Sequence, residues 1–401
     1  MQQRAVILTS QRVGTHEQRS AEQPKQTTFL RSHRRHSFDN RSSVNARDLL
    51  AIVVQIEIEC AKELDFVFLP GDNAENGQPA QYAFVATALK MLSVPVHAIP
   101  GDHDMELGSI HAFPAYLASD LLPKALTARD VRCLFLDMSG RGRSGPDFHR
   151  GAEQIESLEA ELLEAKNARQ TSALFMHTYP ADLKRDGEAA TLTRIIAENE
   201  IALVDMGHTH YNDLANDGRT IFSATKSTGQ IEEGPVGYTI ASIDHGIVSW
   251  RFKLLDEPFL FLLITAPSDH RLLRSDQQVV NGPFEVRALV FGARPFLRVE
   301  AQVDGALWTP MQQDPFDLVW CVELLAPPRE TFPITVRTTD ETGRPAAHTI
   351  RPAGRDHNLR QHQPLGCDAA SIAAWAENGI LGTQLGPNRN AKPEHKRPSS
   401  S

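Results

Sequence analysis

Cysteine is scarce in this chain. Cys60, Cys133, Cys321 and Cys367 are spread over 401 residues. None forms a Cys-x-x-Cys pair, which excludes a thiolate zinc site of the usual spacing. Isolated thiols of this kind suit a reducing compartment. Long apolar runs are lacking too. No stretch approaches the roughly 20 apolar residues of a membrane span. The run Ala5–Leu8 is short for the apolar core of a secretion signal. The expectation is a cytoplasmic protein with no membrane partner. An excess of positive charge is likewise absent: 41 Lys and Arg stand against 50 Asp and Glu, for a net charge of −9. The bulk balance therefore recruits no nucleic acid, and no such partner is expected. The basic cluster Arg31, His33, Arg34, Arg35, His36 and Arg41 reads as a solvated segment. An anionic substrate would need local positive charge, which metal ions can supply.

What is present is a repeated local pattern. Short apolar runs end abruptly in residues able to bind metal. Asp65–Pro70 leads into Gly71-Asp72, and Val94–Pro100 leads into Gly101-Asp102-His103-Asp104. Ser172–Met176 leads into His177, and Ala202–Met206 leads into Gly207-His208-Thr209-His210. Such runs, rich in β-branched and aromatic residues and bounded by Gly or Pro, read as buried strands. Helical patterns lie between them. Ile155, Leu158 and Leu162 recur at spacings of three and four among glutamates, an amphipathic helix. Residues 80–92 and 190–199 also read as helical. Val44–Lys62 is apolar enough for a helix, although Val53–Ile58 alternates like a strand.

Strand and helix alternate, so residues 27–254 are expected to form an α/β domain. In such folds ligands bind at the carboxyl ends of strands, where these carboxylates and histidines all stand. If the strands share a sheet, their ends bring Asp72, Asp102, His177 and His208 together. Each residue alone also has a plain structural use. Asp72 suits a turn, Asp102 a helix cap, and His177 a hydrogen-bonded place in the core. His208 and His210 share one strand phase, which favours joint action. His97 and His111 carry no such pattern.

After residue 255 the pattern changes. Phe284–Val290 and Leu297–Val303 alternate apolar and polar residues, and turn signals such as Asp304-Gly305 punctuate them. A smaller all-β sandwich is expected over 255–355. Trp308 and Trp320 read as core residues. A C-terminal extension, 356–401, would be disordered at its Pro-, Lys- and Ser-rich end. Residues 1–26 are expected to be a poorly ordered segment.

The order of motifs resembles the calcineurin-like metallophosphoesterase superfamily, over roughly residues 27–250. The pattern there runs Asp-x-His, Gly-Asp, Gly-Asn-His-Asp or Glu, a lone His, then Gly-His-x-His. Gly71–Gly77 looks like the branch holding class III cyclic-nucleotide phosphodiesterases. The β-domain and Gly382–Asn388 look like bacterial members with an appended immunoglobulin-like domain. The resemblance implies a four-layer α-β-β-α sandwich holding two divalent ions about 3.5–4 Å apart, which share a carboxylate and a hydroxide. Asp72 is the implied bridge, Asp102, His177 and His208 the ligands of the second ion, and His210 a ligand of the first. His103 would stand at the leaving group as general acid or hydrogen-bond donor. Imidazole and carboxylate together suit Mn, Fe or Zn. The implied activity is hydrolysis of a small phosphate ester by metal-activated hydroxide. A phosphodiester such as a cyclic nucleotide comes first, and a phosphomonoester is the alternative. A homo-oligomer stays open.

One motif departs from the pattern. No Asp-x-His occurs in the first 70 residues. Thr27–Leu30 followed by Arg31-Ser32-His33 is the best-placed substitute, with Arg where Asp should stand and His33 as a weak candidate ligand. Val6–Val13 offers neither residue. Arg31 would add a cation beside a dication and weaken the first metal. Three readings follow: an altered N-terminus on a working enzyme, an impaired mononuclear enzyme, or a binding protein that kept the fold.

Overall fold

The computed structural model describes residues 4–9, 40–105, 109–117, 122–138, 151–183, 187–228, 235–315, 317–355, 357 and 370–381, with side chains from Asn45 onward. The first half of the chain builds two sheets. In chain order its elements are β1 (Arg4–Thr9), α1 (Asn40–Glu59), β2 (Phe66–Leu69), α2 (Pro79–Leu89), β3 (Val96–Ala98), α3 (Ala112–Tyr116), β4 (Lys124–Ala128) and β5 (Val131–Phe135). Then come α4 (Ala152–Asn167), β6 (Thr171–Phe175), α5 (Glu188–Glu198), β7 (Leu203–Met206), β8 (Asp213–Asn216), β9 (Ile221–Ala224), β10 (Gly237–Asp244) and β11 (Ile247–Leu254). One sheet has the order β11-β10-β1-β2-β3, and the other β4-β5-β6-β7-β9-β8.

The strands that carry the motifs are thus divided between two sheets, so the condition that they share one sheet is not met. Side-chain alternation explains why. Strand residues point to opposite faces in turn. Phe66 and Phe68 leave β2 on one face and meet Phe135 and Phe175 of the second sheet, with ring centroids 4.9–5.9 Å apart. Val67, on the other face of β2, packs with Ile52 and Ile56 of α1 and with Cys60 just after it. Leu134, Leu174 and Val204 leave the second sheet on its far side, against Leu158 and Leu162 of α4 and Leu192, Ile195 and Ile196 of α5. The result is four layers, α-β-β-α. Both motif-bearing sheets are buried on two faces, which is why their strands read as continuous apolar runs. In Val44–Lys62 the helical period prevails. Leu49, Ile52, Val53, Ile56 and Cys60 form one buried face, which a strand could not gather on one side.

The expectation for residues 1–26 is corrected at Arg4–Thr9. This segment is strand β1, parallel to β2 and antiparallel to β10. Its apolar residues Ala5–Leu8 complete the middle of the first sheet. Thr27–Leu30, Arg31 and His33 lie outside the described residues.

The second half is all-β. It comprises β12 (Phe261–Ala266), β13 (Pro283–Phe291), β14 (Phe296–Val303), β15 (Thr309–Pro310), β16 (Gln312–Gln313), β17 (Trp320–Leu325), β18 (Ile334–Asp340) and β19 (Pro345–Ile350). Two four-stranded sheets, β12-β13-β17-β16 and β15-β14-β18-β19, enclose a core of their own. The first of these sheets has apolar residues on both faces. Leu262, Ile264, Ala288 and Val290 face that core, whereas Phe261, Leu263, Leu289 and Phe291 pack with α1 and β10. Ion pairs reinforce the join. Arg287 meets Asp244 at 2.9 Å and Asp317 at 3.1 Å, and Arg129 meets Asp317 at 2.8 Å and Asp65 at 2.7 Å. Trp308 and Trp320 are only half-buried. Trp308 lies 3.8 Å from the Arg337 guanidinium, and Trp320 lies edge-on to Phe296. Among the described residues no helix is long and apolar enough to cross a membrane.

Candidate active site

Four parallel strands point their carboxyl ends at one place. β2 and β3 are neighbours in the first sheet, β6 and β7 in the second. Each ends in a sharp change of backbone direction. After β2, Gly71 (φ +97°) and Asp72 (φ +56°) are left-handed. After β7, His208 and His210 both have φ +64°. Left-handed backbone at non-glycine residues costs roughly 1–3 kcal/mol and persists only where the surroundings hold it. Gly71 and Gly101 permit the close approach of the two sheets. A Cβ on Gly71 would collide with the His177 ring, and one on Gly101 with the Asp72 carboxylate.

The turns deliver two groups of potential ligand atoms. Asp72, His103 and His210 form one, and Asp102, His177 and His208 the other; within each group the atoms lie within 4.8 Å of one another. Asp72 stands between them. Its Oδ1 is 3.6 Å from His177 Nε2 and its Oδ2 is 3.8 Å from His210 Nε2. Asp72 and His177 are fully buried, while Asp102, His103, His208 and His210 are partly open to solvent. The site thus has a closed floor and an open rim. Of the residues singled out from the sequence, these six come together. His97 instead contacts Phe66 and Phe135, and His33 lies outside the described residues.

The hydrogen bonds orient the rings for cation binding. His177 Nδ1 donates to the Pro70 carbonyl at 2.6 Å. That leaves Nε2 facing Asp102 Oδ1 at 2.9 Å. His208 Nδ1 approaches the same oxygen at 3.1 Å. His103 Nδ1 donates to the Glu75 carbonyl at 3.1 Å, leaving its Nε2 for the site. A carbonyl that fixes the tautomer of a ligating imidazole is the usual outer support of a metal centre.

Charge is concentrated here. Burial opposes ionisation of Asp102, yet the hydrogen bonds from His177 and His208 hold its carboxyl far below the ordinary range. Burial also opposes charge on His177, but Asp72 and Asp102 raise it to about 9. A proton therefore sits where the two carboxylates call for a cation. Asp72 Oδ2 is buried without a hydrogen-bond partner. An unpartnered buried carboxylate oxygen is costly, and a cation held with His210 would satisfy it. The donor set fits divalent metal.

Asp104 holds the two aspartate-bearing turns together. It accepts from Gly101 N at 2.8 Å, Ala74 N at 3.1 Å, Asn73 N and Nδ2 at 3.2 Å, and Tyr82 Oη at 2.7 Å. Burial and the neighbouring Asp72 push its carboxyl up to about 6, against those donors. Tyr82, Asn73 and the carbonyls of Pro70 and Glu75 carry no signal in the sequence, because their part is set by chain folding rather than by residue type.

The sequence profile of calcineurin-like phosphoesterases matches residues 33–212. A probable cyclic nucleotide phosphodiesterase of Fibrobacter succinogenes is 46% identical over 225 residues, covering 50% of this chain and 78% of that protein. The chain belongs to the calcineurin-like phosphoesterase family. Solved structures similar to this member of the family include a dimetal phosphatase of Danio rerio, at 15% identity and TM-score 0.48, over 63% of this chain and 97% of that one. Another is GAP50, the anchor in the inner membrane complex of Plasmodium, at 13% identity and TM-score 0.43, over 64% of this chain and 86% of that one. Family membership also defines the departure at the first motif. In this member the strand parallel to β2 ends at Thr9, and Ser10-Gln11-Arg12-Val13 follow with neither carboxylate nor imidazole.

Proposed function

We propose that this chain hydrolyses a phosphodiester at a site holding two divalent cations. The observation that carries the proposal is the placement of Asp72 between two groups of ligand atoms, one carboxylate oxygen toward each. Asp102, His177 and His208 would hold one cation, Asp72 and His210 the other, with Asp72 shared. Two such cations lower the pKa of a water nucleophile and neutralise charge gathering on the phosphoryl oxygens. Mn, Fe and Zn all suit these ligands.

The chain's own residues supply orientation and a proton. The buried floor of Asp72 and His177 excludes water from one side, and the open rim admits the ester. His103 in its imidazolium form has two N–H groups. Nδ1–H donates to Glu75 O, and Nε2, 4.0 Å from Asp102 Oδ2, is the nitrogen turned to the site, from which a proton would pass to the departing oxygen. Asp104 keeps the Asp72 and Asp102 turns at fixed separation. The name of the Fibrobacter relative supports a cyclic nucleotide as the diester. The sandwich after residue 255 supports the reading of an appended immunoglobulin-like domain.

A second reading rests on the absent Asp-x-His. With the first cation weakly held, the chain would be a catalytically impaired binding protein on the same fold. Hydrolysis of bis-p-nitrophenyl phosphate with added Mn separates the two. The enzyme turns over, and His103→Ala lowers kcat by about 10²-fold or more. Folded protein with no turnover above an Asp72→Ala control would overturn the enzyme reading.

A further inference from the structure

After the sandwich the chain returns to the loop that carries His208 and His210. Residues 370–381 begin beside β8, the edge strand of the six-stranded sheet, and continue over β11. Ser371 bridges to Ala215, and Ile372 N donates to Leu214 O at 3.0 Å. Ile372, Trp375 and Ile380 enter the core between the two sheets, and Arg271 lies 4.5 Å over the Trp375 ring. Asn378 ties this segment to the sandwich. It accepts from His348 Nε2 at 3.1 Å and donates to the Trp250 carbonyl. Gly379 (φ +89°) rests on Phe252, where a Cβ would collide.

The segment reaches the loop through one side chain. Asn212, buried to 1% exposure, donates from Nδ2 to Gly379 O at 3.0 Å and accepts at Oδ1 from Lys226 N at 2.9 Å. It stands two residues after His210. The loop's other end is held by Gly207 N donating to His177 O at 3.0 Å. Between these anchors lie two histidines in left-handed backbone, a conformation that needs its surroundings to hold it.

We propose that residues 370–381 brace the His208–His210 loop, and that Asn212 is the positioning residue through which the brace acts. The inference rests on the reading of these histidines as cation ligands. It makes the cation site depend on a segment that follows the β-sandwich, about 170 residues further along the chain.

The test is a Co(II) titration of the metal-free full-length chain, followed by the visible absorption of the bound ion, which reports ligand geometry. Asn212→Ala and Gly379→Ala are expected to weaken binding about tenfold or more and to shift the band, while the metal-free variants melt at a lower temperature but still in one cooperative transition. Should Asn212→Ala fail to fold, Gly379→Ala decides alone, because it touches neither histidine. Folded variants that bind within about twofold of wild type, with its spectrum, overturn the brace. A wild type that binds no more Co(II) than Asp72→Ala overturns the metal reading and the brace with it.

Discussion

His177 Nε2 and Asp102 Oδ1 meet at 2.9 Å across the junction of two sheets, one residue from each. In the metal-free protein a proton lies between them, and Asp72 and Asp102 together hold the imidazole to about 9. Such a raised pKa stabilises the fold fully below the ordinary value near 6.5, and that contribution is lost as pH rises through about 9. A cation must displace this proton. Mn affinity is therefore expected to rise between pH 7 and 9, with proton release visible as buffer-dependent heat in calorimetric titration. Affinity independent of pH, with no proton released, would count against His177 as a ligand.

Asp104→Ala is expected to destabilise the fold by more than about 3 kcal/mol. Five donors lose their acceptor together, and each buried orphan costs about 1–3 kcal/mol. Urea unfolding measures the loss. A change under 1 kcal/mol would mean that the two turns are held by something else.

Phe135 and Phe175 stack 4.7 Å apart on neighbouring strands of the second sheet and meet Phe66 and Phe68 of the first. Phe175 is fully buried. Phe175→Ala should cost about 3–5 kcal/mol, read by urea unfolding, and loosen the site above it.

His348 links the sandwich to the brace. Its Nδ1 accepts from Ile264 N at 2.9 Å, and burial, with Arg251 nearby, lowers it to about 3. Between pH 6.5 and about 3 the unfolded chain binds a proton that the folded chain refuses. Stability accordingly falls as pH drops through that window, by up to about 1.4 kcal/mol per unit. His348→Gln should flatten this slope, although the variant is less stable at neutral pH. An unchanged slope would assign the acid sensitivity to other groups.

The sequence made legible what depends on local pattern. The runs ending at Leu69, Ala98, Phe175 and Met206 are strands, and all six residues from Asp72 to His210 meet at their ends. Three strand ends marked by glycine or proline, and the histidine that closes the Ser172–Met176 run, carried that information. Which sheet each strand joins was not legible, because two-faced burial looks the same in either. The first strand was misplaced for a related reason. Ala5–Leu8 and Thr27–Leu30 are both short apolar runs, and only pairing with β2 and β10 selects the former. Trp320 packs against the sandwich core while half-buried, edge-on to Phe296, whereas the half-buried Trp308 packs under the Arg337 guanidinium. The Asn212–Gly379 bond spans 167 positions and left no local trace.

Anomalous diffraction from crystals grown with Mn tests the central claim most directly. The account predicts two peaks, one at Asp102, His177 and His208 and one at His210, with an Asp72 oxygen on each. Density showing no cation against Asp72 or Asp102 in Mn-saturated, folded protein would contradict it.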